Sequence, residues 1–71
     1  MISYRPLWET MKKRGATTYY LRNKGGYDSI SGSAIRRLKA GESVSTNTID
    51  ALCRLLDCTV SDIIEYEREK E

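Results

Sequence analysis

The stretch "STNTIDALCRLLDC", residues 45–58, constrains the fold more than any other. Its apolar residues Ile49, Leu52, Cys53 and Leu56 recur at i, i+3, i+4 and i+7, a spacing that lines up on one face of a helix and on no single face of a strand. Ser45 or Thr46 suits the N-cap, where a short side-chain oxygen accepts a hydrogen bond from an otherwise unpaired N–H. A helix striped in this way must be covered, so the rest of the chain has to supply matching apolar faces.

It does so in short helical pieces. Pro6 fits the first turn of a helix near residues 6–14, where its missing N–H costs nothing; Leu7, Trp8 and Met11 share a face and Gly15 closes the end. Trp8, set between Leu7 and Met11, reads as a core or dimer contact rather than a platform for stacked bases. Thr17 suits the N-cap of a brief second helix carrying Tyr19, Tyr20, Leu21 and Arg22, which must stop by Gly25-Gly26. Ser29 or Ser31 caps a third, with Ile35 and Leu38 inward, Arg36, Arg37 and Lys39 elsewhere, and Gly41 at its end. Gly32 costs that helix about 1 kcal/mol relative to alanine, less in a first turn than in a centre. Thr59 and Asp62 have the spacing of a capping box and introduce Val60, Ile63 and Ile64, a fifth helix that frays into "EYEREKE". The β-branched residues from Val44 to Thr48 are too few, and too rich in capping types, to make a convincing strand. The expectation is all-α: five short helices over residues 1–66 and a charged tail at 67–71.

Seventy-one residues bury one small core and leave no room for a deep substrate cavity. Two cysteines give no disulfide framework; on one helical stretch the spacing of Cys53 and Cys58 turns them apart, which fits a reducing cytosol. No apolar run approaches the roughly 20 residues of a membrane span, and "MISYRPLWET" lacks the continuous apolar segment of a signal peptide. A cytoplasmic protein is expected. Without histidine, the cysteines make neither a zinc site nor an activated nucleophile, and the carboxylates belong to solvated faces. The chain reads as no enzyme, with no cofactor, metal or small-molecule ligand.

Charge is distributed unevenly. Residues 1–39 carry nine basic side chains against two acidic ones, and residues 40–71 carry three against eight. A polyanion would meet the N-terminal half. There, a short helix, a turn and a second helix with basic residues outward form a helix-turn-helix pattern. In such units the second helix fits the roughly 12 Å major groove, while helix starts and nearby cations hold phosphates.

From "ATTYYLRN" through "SAIRRLKAGESVSTNTIDALCRLLDCTVSDIIEY", nearly the whole chain resembles the Cro/phage-repressor type, or XRE, family of helix-turn-helix proteins, in particular its small stand-alone members. The densest agreement is in "IRRLKAGESVSTNTIDALCRLLDCTVSDII": a recognition helix ending in a Leu-Lys-x-Gly turn, a Ser/Thr-rich cap, and a short Leu-Asp-Cys connection. The resemblance implies a lambda-repressor-like domain of five helices, whose helices two and three form the helix-turn-helix and whose helix around residues 31–40 enters the major groove. By position it implies base contacts from Gly32, Ser33 and Arg37, with Arg36 reaching either a base or a phosphate. Phosphate contacts fall on Thr17, Thr18, Lys39 and Asn47, assisted by Thr46, and Tyr19 or Tyr20 can offer a hydroxyl to a phosphate.

The chain departs from the family pattern at three places. Thr18 stands where many members have glutamine and is too short to bridge a phosphate to the recognition helix. Gly32 and Ser33 present little base-reading surface. The interval from Leu21 to Ile30 is about three residues longer than usual, with the insertion inside Lys24 to Ser29. Two functional readings follow: a sequence-specific regulator binding double-stranded DNA, as a homodimer on a palindromic site, or an antitoxin-like protein-interaction module on the same scaffold.

Overall fold

A computed structural model describes residues 1–23, 26 and 29–68. Among them are four α-helices: α1 (Arg5–Arg14), α2 (Thr18–Asn23), α3 (Gly32–Ala40) and α4 (Thr46–Leu56). The termini add two short strands, β1 (Ile2–Ser3) and β2 (Glu65–Tyr66), which pair antiparallel with Ile2 opposite Tyr66 and Ser3 opposite Glu65.

α1, α3 and α4 end where local chemistry requires it. Gly15 and Gly41 take left-handed φ values of 66° and 75°, and their N–H groups bond back to the last turns of α1 and α3. Asp57 does the same after α4 at φ 50°, a conformation aspartate tolerates better than most residues. Its carbonyl accepts a hydrogen bond from Arg14 Nη2 at 3.0 Å, so this arginine braces α1 against the end of α4. Cap choices left open by the sequence are resolved: Ser31 caps α3 and Ser45 caps α4, and Thr46 is the first helical residue of α4.

The fifth helix is corrected. Thr59 and Asp62 do form a capping box, with the Thr59 N–H donating to Asp62 Oδ2 at 3.1 Å, but only one 3₁₀ turn follows, Val60–Asp62. Ile63 then drops fully into the core, and the extended Glu65 and Tyr66 find backbone partners in β1 rather than in a continuing helix. Two-residue strands are too short to show alternation, which is why the sequence does not announce them. The cysteines are corrected for a related reason: α4 stops at Leu56, the chain reverses at Asp57, and Cys58 folds back toward Cys53 with its N–H on the Cys53 carbonyl at 3.0 Å. Burial, and then the neighbouring Cys53, push the Cys58 thiol pKa up.

Among the described residues the largest fully buried side chains are Leu7, Leu21, Leu38, Leu52 and Ile63, one from each α-helix and one from the residue after the 3₁₀ turn. Each contributes on the order of 1.5–3 kcal/mol through burial, so no helix is optional in a core this small. Trp8 packs half-buried against this cluster. Side chains lock the periphery: Tyr4 Oη donates to the Glu42 carbonyl at 2.8 Å, and Thr10 Oγ1 donates to the Asp62 carbonyl at 2.8 Å. Among the described residues no helix is long and apolar enough to cross a membrane.

Candidate nucleic-acid interface

The outward surface of α3 follows from its inward one. Ala34, Ile35 and Leu38 are buried, which at 3.6 residues per turn leaves Ser33, Arg36 and Arg37 exposed on one side and Lys39 exposed in the last turn. Ser31 Oγ accepts the Ala34 N–H at 3.1 Å and fixes where the helix begins. Lys39 lies about 10 Å further along the axis than Gly32, by the 1.5 Å rise per residue. The first turn of α3 contains no acidic residue.

Arg37 does not pair with Glu42. Instead, the Arg37 carbonyl accepts the Glu42 N–H at 2.8 Å, a backbone bond that leaves the guanidinium uncommitted among the described residues. Other cations of the basic half are occupied structurally: Arg14 on the Asp57 carbonyl, and Arg5 against Glu65 at 2.8 Å and Glu67 at 3.8 Å. The sequence counts all of these as one positive surface; the structure separates fasteners from exposed cations.

Two further helix starts, those of α2 and α4, are capped by side-chain oxygens. Thr17 Oγ1 accepts the Tyr20 N–H at 3.2 Å, so Thr17 caps α2 and Thr18 is its first, half-buried residue. Tyr19 is 65% exposed, whereas Tyr20 turns toward a recess formed with Leu55 and Leu56 and is 38% exposed. Of the two tyrosines, Tyr19 therefore points into solvent. Ser45 Oγ accepts the Thr48 N–H at 3.2 Å, leaving exposed Thr46 and Asn47 at the start of α4. Ser31, Asn47 and Thr48 line one shared recess, which brings the starts of α3 and α4 together. Thr17 and Thr18 are not among the residues that line this recess.

The lengthened turn is pinned at its base. The Ile30 N–H donates to the Leu21 carbonyl at 2.8 Å, and both residues are core, so the two ends of the lengthened interval are held together. Ser29 bonds back to the Gly26 carbonyl at 3.2 Å. Within Lys24 to Ser29, where the insertion falls, Lys24, Gly25, Tyr27 and Asp28 lie outside the described residues, as do residues 69–71 of the tail.

One residue at this surface escapes a reading by position. Arg22, in the last turn of α2, lays its guanidinium over the first residue of α3: a Cβ on Gly32 would lie 3.6 Å from both Cζ and Nη2 of Arg22. The sequence signal was the bare glycine where a side chain is expected, but nothing in the spacing says which neighbour fills the gap.

A family model described as the Cro/C1-type HTH DNA-binding domain matches residues 6–69. The chain belongs to that family. Among solved structures, a crystal structure of the transcriptional regulator VanUg superposes with a TM-score of 0.81 at 34% identity, over 96% of this chain and 87% of that one. No curated protein gives a match. Residues 6–69 therefore form a Cro/C1-type helix-turn-helix domain, and its mostly helical frame superposes on that of VanUg.

Proposed function

We propose that this Cro/C1-type protein is a transcriptional regulator that binds double-stranded DNA sequence-specifically, with α3 in the major groove. The observation that carries the reading is the exposed stripe of Ser33, Arg36 and Arg37 on a helix whose opposite side, Ala34, Ile35 and Leu38, is locked in the core. Arg37 reads a base bidentately, Arg36 reaches a base or phosphate, and Gly32 and Ser33 stand at the positions where the family resemblance puts further base contacts. Thr17, Thr18, Tyr19, Lys39, Thr46 and Asn47 hold the phosphates on either side, with N–H groups at the starts of α2 and α4 contributing. Thr17 reconciles two roles, since its cap oxygen faces its own helix while the N–H groups beside it remain free for a phosphate.

One module makes a small interface, so two copies on a palindromic site, with recognition helices one DNA turn or about 34 Å apart, supply the discrimination. Exposed Ile2, Val60 and Tyr66 offer apolar surface for such a pairing. In this reading residues 1–66 are the binding unit and 67–71 a charged tail, and the protein works in the cytoplasm.

Titration against random duplex DNA at several salt concentrations tests the reading, because phosphate contacts predict a steep fall in affinity as salt rises. On a selected site, Arg37→Ala should relax preference at one base pair by about 1–3 kcal/mol, whereas Lys39→Ala should weaken all sequences alike. No binding at low salt would sink the proposal. It would favour the protein-interaction reading instead, for which the groove between α4 and the 3₁₀ turn, lined by Ile49, Cys53, Val60 and Ile64, is the candidate surface.

A further inference from the structure

Gly32 removes a side chain from the position of α3 where the family resemblance puts a base contact, yet that position is not empty. The guanidinium of Arg22 covers it, with Cζ and Nη2 at 3.6 Å and Nε at 3.7 Å from where a Gly32 Cβ would stand. All three distances are ordinary van der Waals contact, so the group lies flat across the helix start rather than grazing it with one atom. Gly32 is half-buried although it begins an exposed helix, which is consistent with that cover.

Among the described residues no carboxylate holds Arg22, and the first turn of α3 offers none. A cation beside the positive end of a helix is disfavoured by the local dipole. The anchoring is steric and local: Leu21 is fully buried, and its carbonyl takes the Ile30 N–H at 2.8 Å, two residues before Gly32. The backbone preceding Arg22 is thereby fastened to the backbone leading into α3.

We propose that Arg22 is a specificity-determining residue: projecting from α2 across the bare Gly32, it reads the base pair facing the start of α3 and supplies the contact that a side chain on α3 itself would otherwise make. Its planar fork of donors matches the O6 and N7 acceptors of guanine. The readout is divided between two helices, Arg22 at the beginning of α3 and Arg37 about a turn and a half along it. Alanine at Gly32 would still fit against the guanidinium, but a longer side chain would compete with it for the same space, so the small residue and the arginine act as a pair. The assignment rests on the DNA-binding reading above.

The test is selection of bound sequences from a random duplex pool with the full chain, repeated for Arg22→Ala and Arg22→Lys after thermal melts confirm that both fold. Wild type should select a G·C pair that Arg22→Ala no longer prefers, with affinity for the selected site falling roughly tenfold to a hundredfold and affinity for random duplex much less. Arg22→Lys keeps the charge but not the fork, so it should restore binding to random duplex without restoring the full preference. Equal losses on selected and random DNA, fully rescued by lysine, would make Arg22 a phosphate contact and overturn the proposal. An unchanged preference in Arg22→Ala would also overturn it while leaving the DNA reading standing, whereas wild type that binds no duplex at low salt would remove both.

Discussion

The starts of α3 and α4 obey one local rule and end up doing different things. Each is capped by a serine whose Oγ accepts the N–H three residues on, at 3.1 Å for Ser31 and 3.2 Å for Ser45. After the cap they diverge. α4 opens with Thr46 and Asn47, polar side chains of its own, whereas α3 opens with Gly32 and is covered by an arginine from α2. A helix start can carry its surface chemistry itself or borrow it from a neighbour, and only the second arrangement couples that chemistry to the packing of another helix.

The strongest way to probe the pair is to empty the core beneath each start. Leu38→Ala under α3 and Leu52→Ala under α4 should each cost about 2–5 kcal/mol in urea denaturation, since both side chains are fully buried. That is comparable with the whole stability of a domain this size. A loss well below this range at Leu38 alone would mean that α3 is seated more loosely than α4.

Removing the caps is a milder test. Ser31→Ala and Ser45→Ala should each cost about 1 kcal/mol, and by similar amounts if the two caps act only on their own helices. A clearly larger loss at Ser31 would show that the Arg22 contact also depends on a fixed start for α3.

The smallest effect separates neutral caps from the charged one at the 3₁₀ turn. The backbone N–H and then the hydroxyl of Thr59 hold the exposed Asp62 carboxyl below the usual carboxylate range. A depressed folded-state pKa stabilises the protein above the unfolded value, about 3.9, and that contribution fades as pH falls through the folded value. Asp62→Asn should therefore be slightly less stable than wild type near neutral pH, with the gap closing in acid. The deficit of Ser45→Ala should show no such pH dependence. A gap for Asp62→Asn that persists in acid would assign the effect to packing rather than charge.

How far the sequence reaches is visible element by element. Glycines that need a positive φ mark the ends of α1 and α3 by themselves, and the stripe of Ile49, Leu52, Cys53 and Leu56 identifies α4, because these are rules of neighbours within one turn. The exposed stripe of Ser33, Arg36 and Arg37 follows from the same periodicity once Ile35 and Leu38 are placed inward. The fifth helix failed because its alternative partner, β1, lies more than sixty residues away, beyond any local pattern. The cysteines were misread because a single left-handed residue, Asp57, reverses the chain between them, and aspartate does not advertise that conformation as glycine does.

Sequence alone therefore determined the helix-turn-helix and the exposed cations of α3 and narrowed the caps of α3 and α4 to two candidates each, since each depends on spacing within a few residues. Only the tertiary structure decided which cations are fasteners and which remain available, as the partners of Arg5 and Arg14 come from the far end of the chain. It alone placed Arg22 over Gly32. The contact joins two helices across an insertion of unusual length, and such proximity is set by packing and by the 2.8 Å bond between Ile30 and Leu21 rather than by any interval that can be counted along the chain.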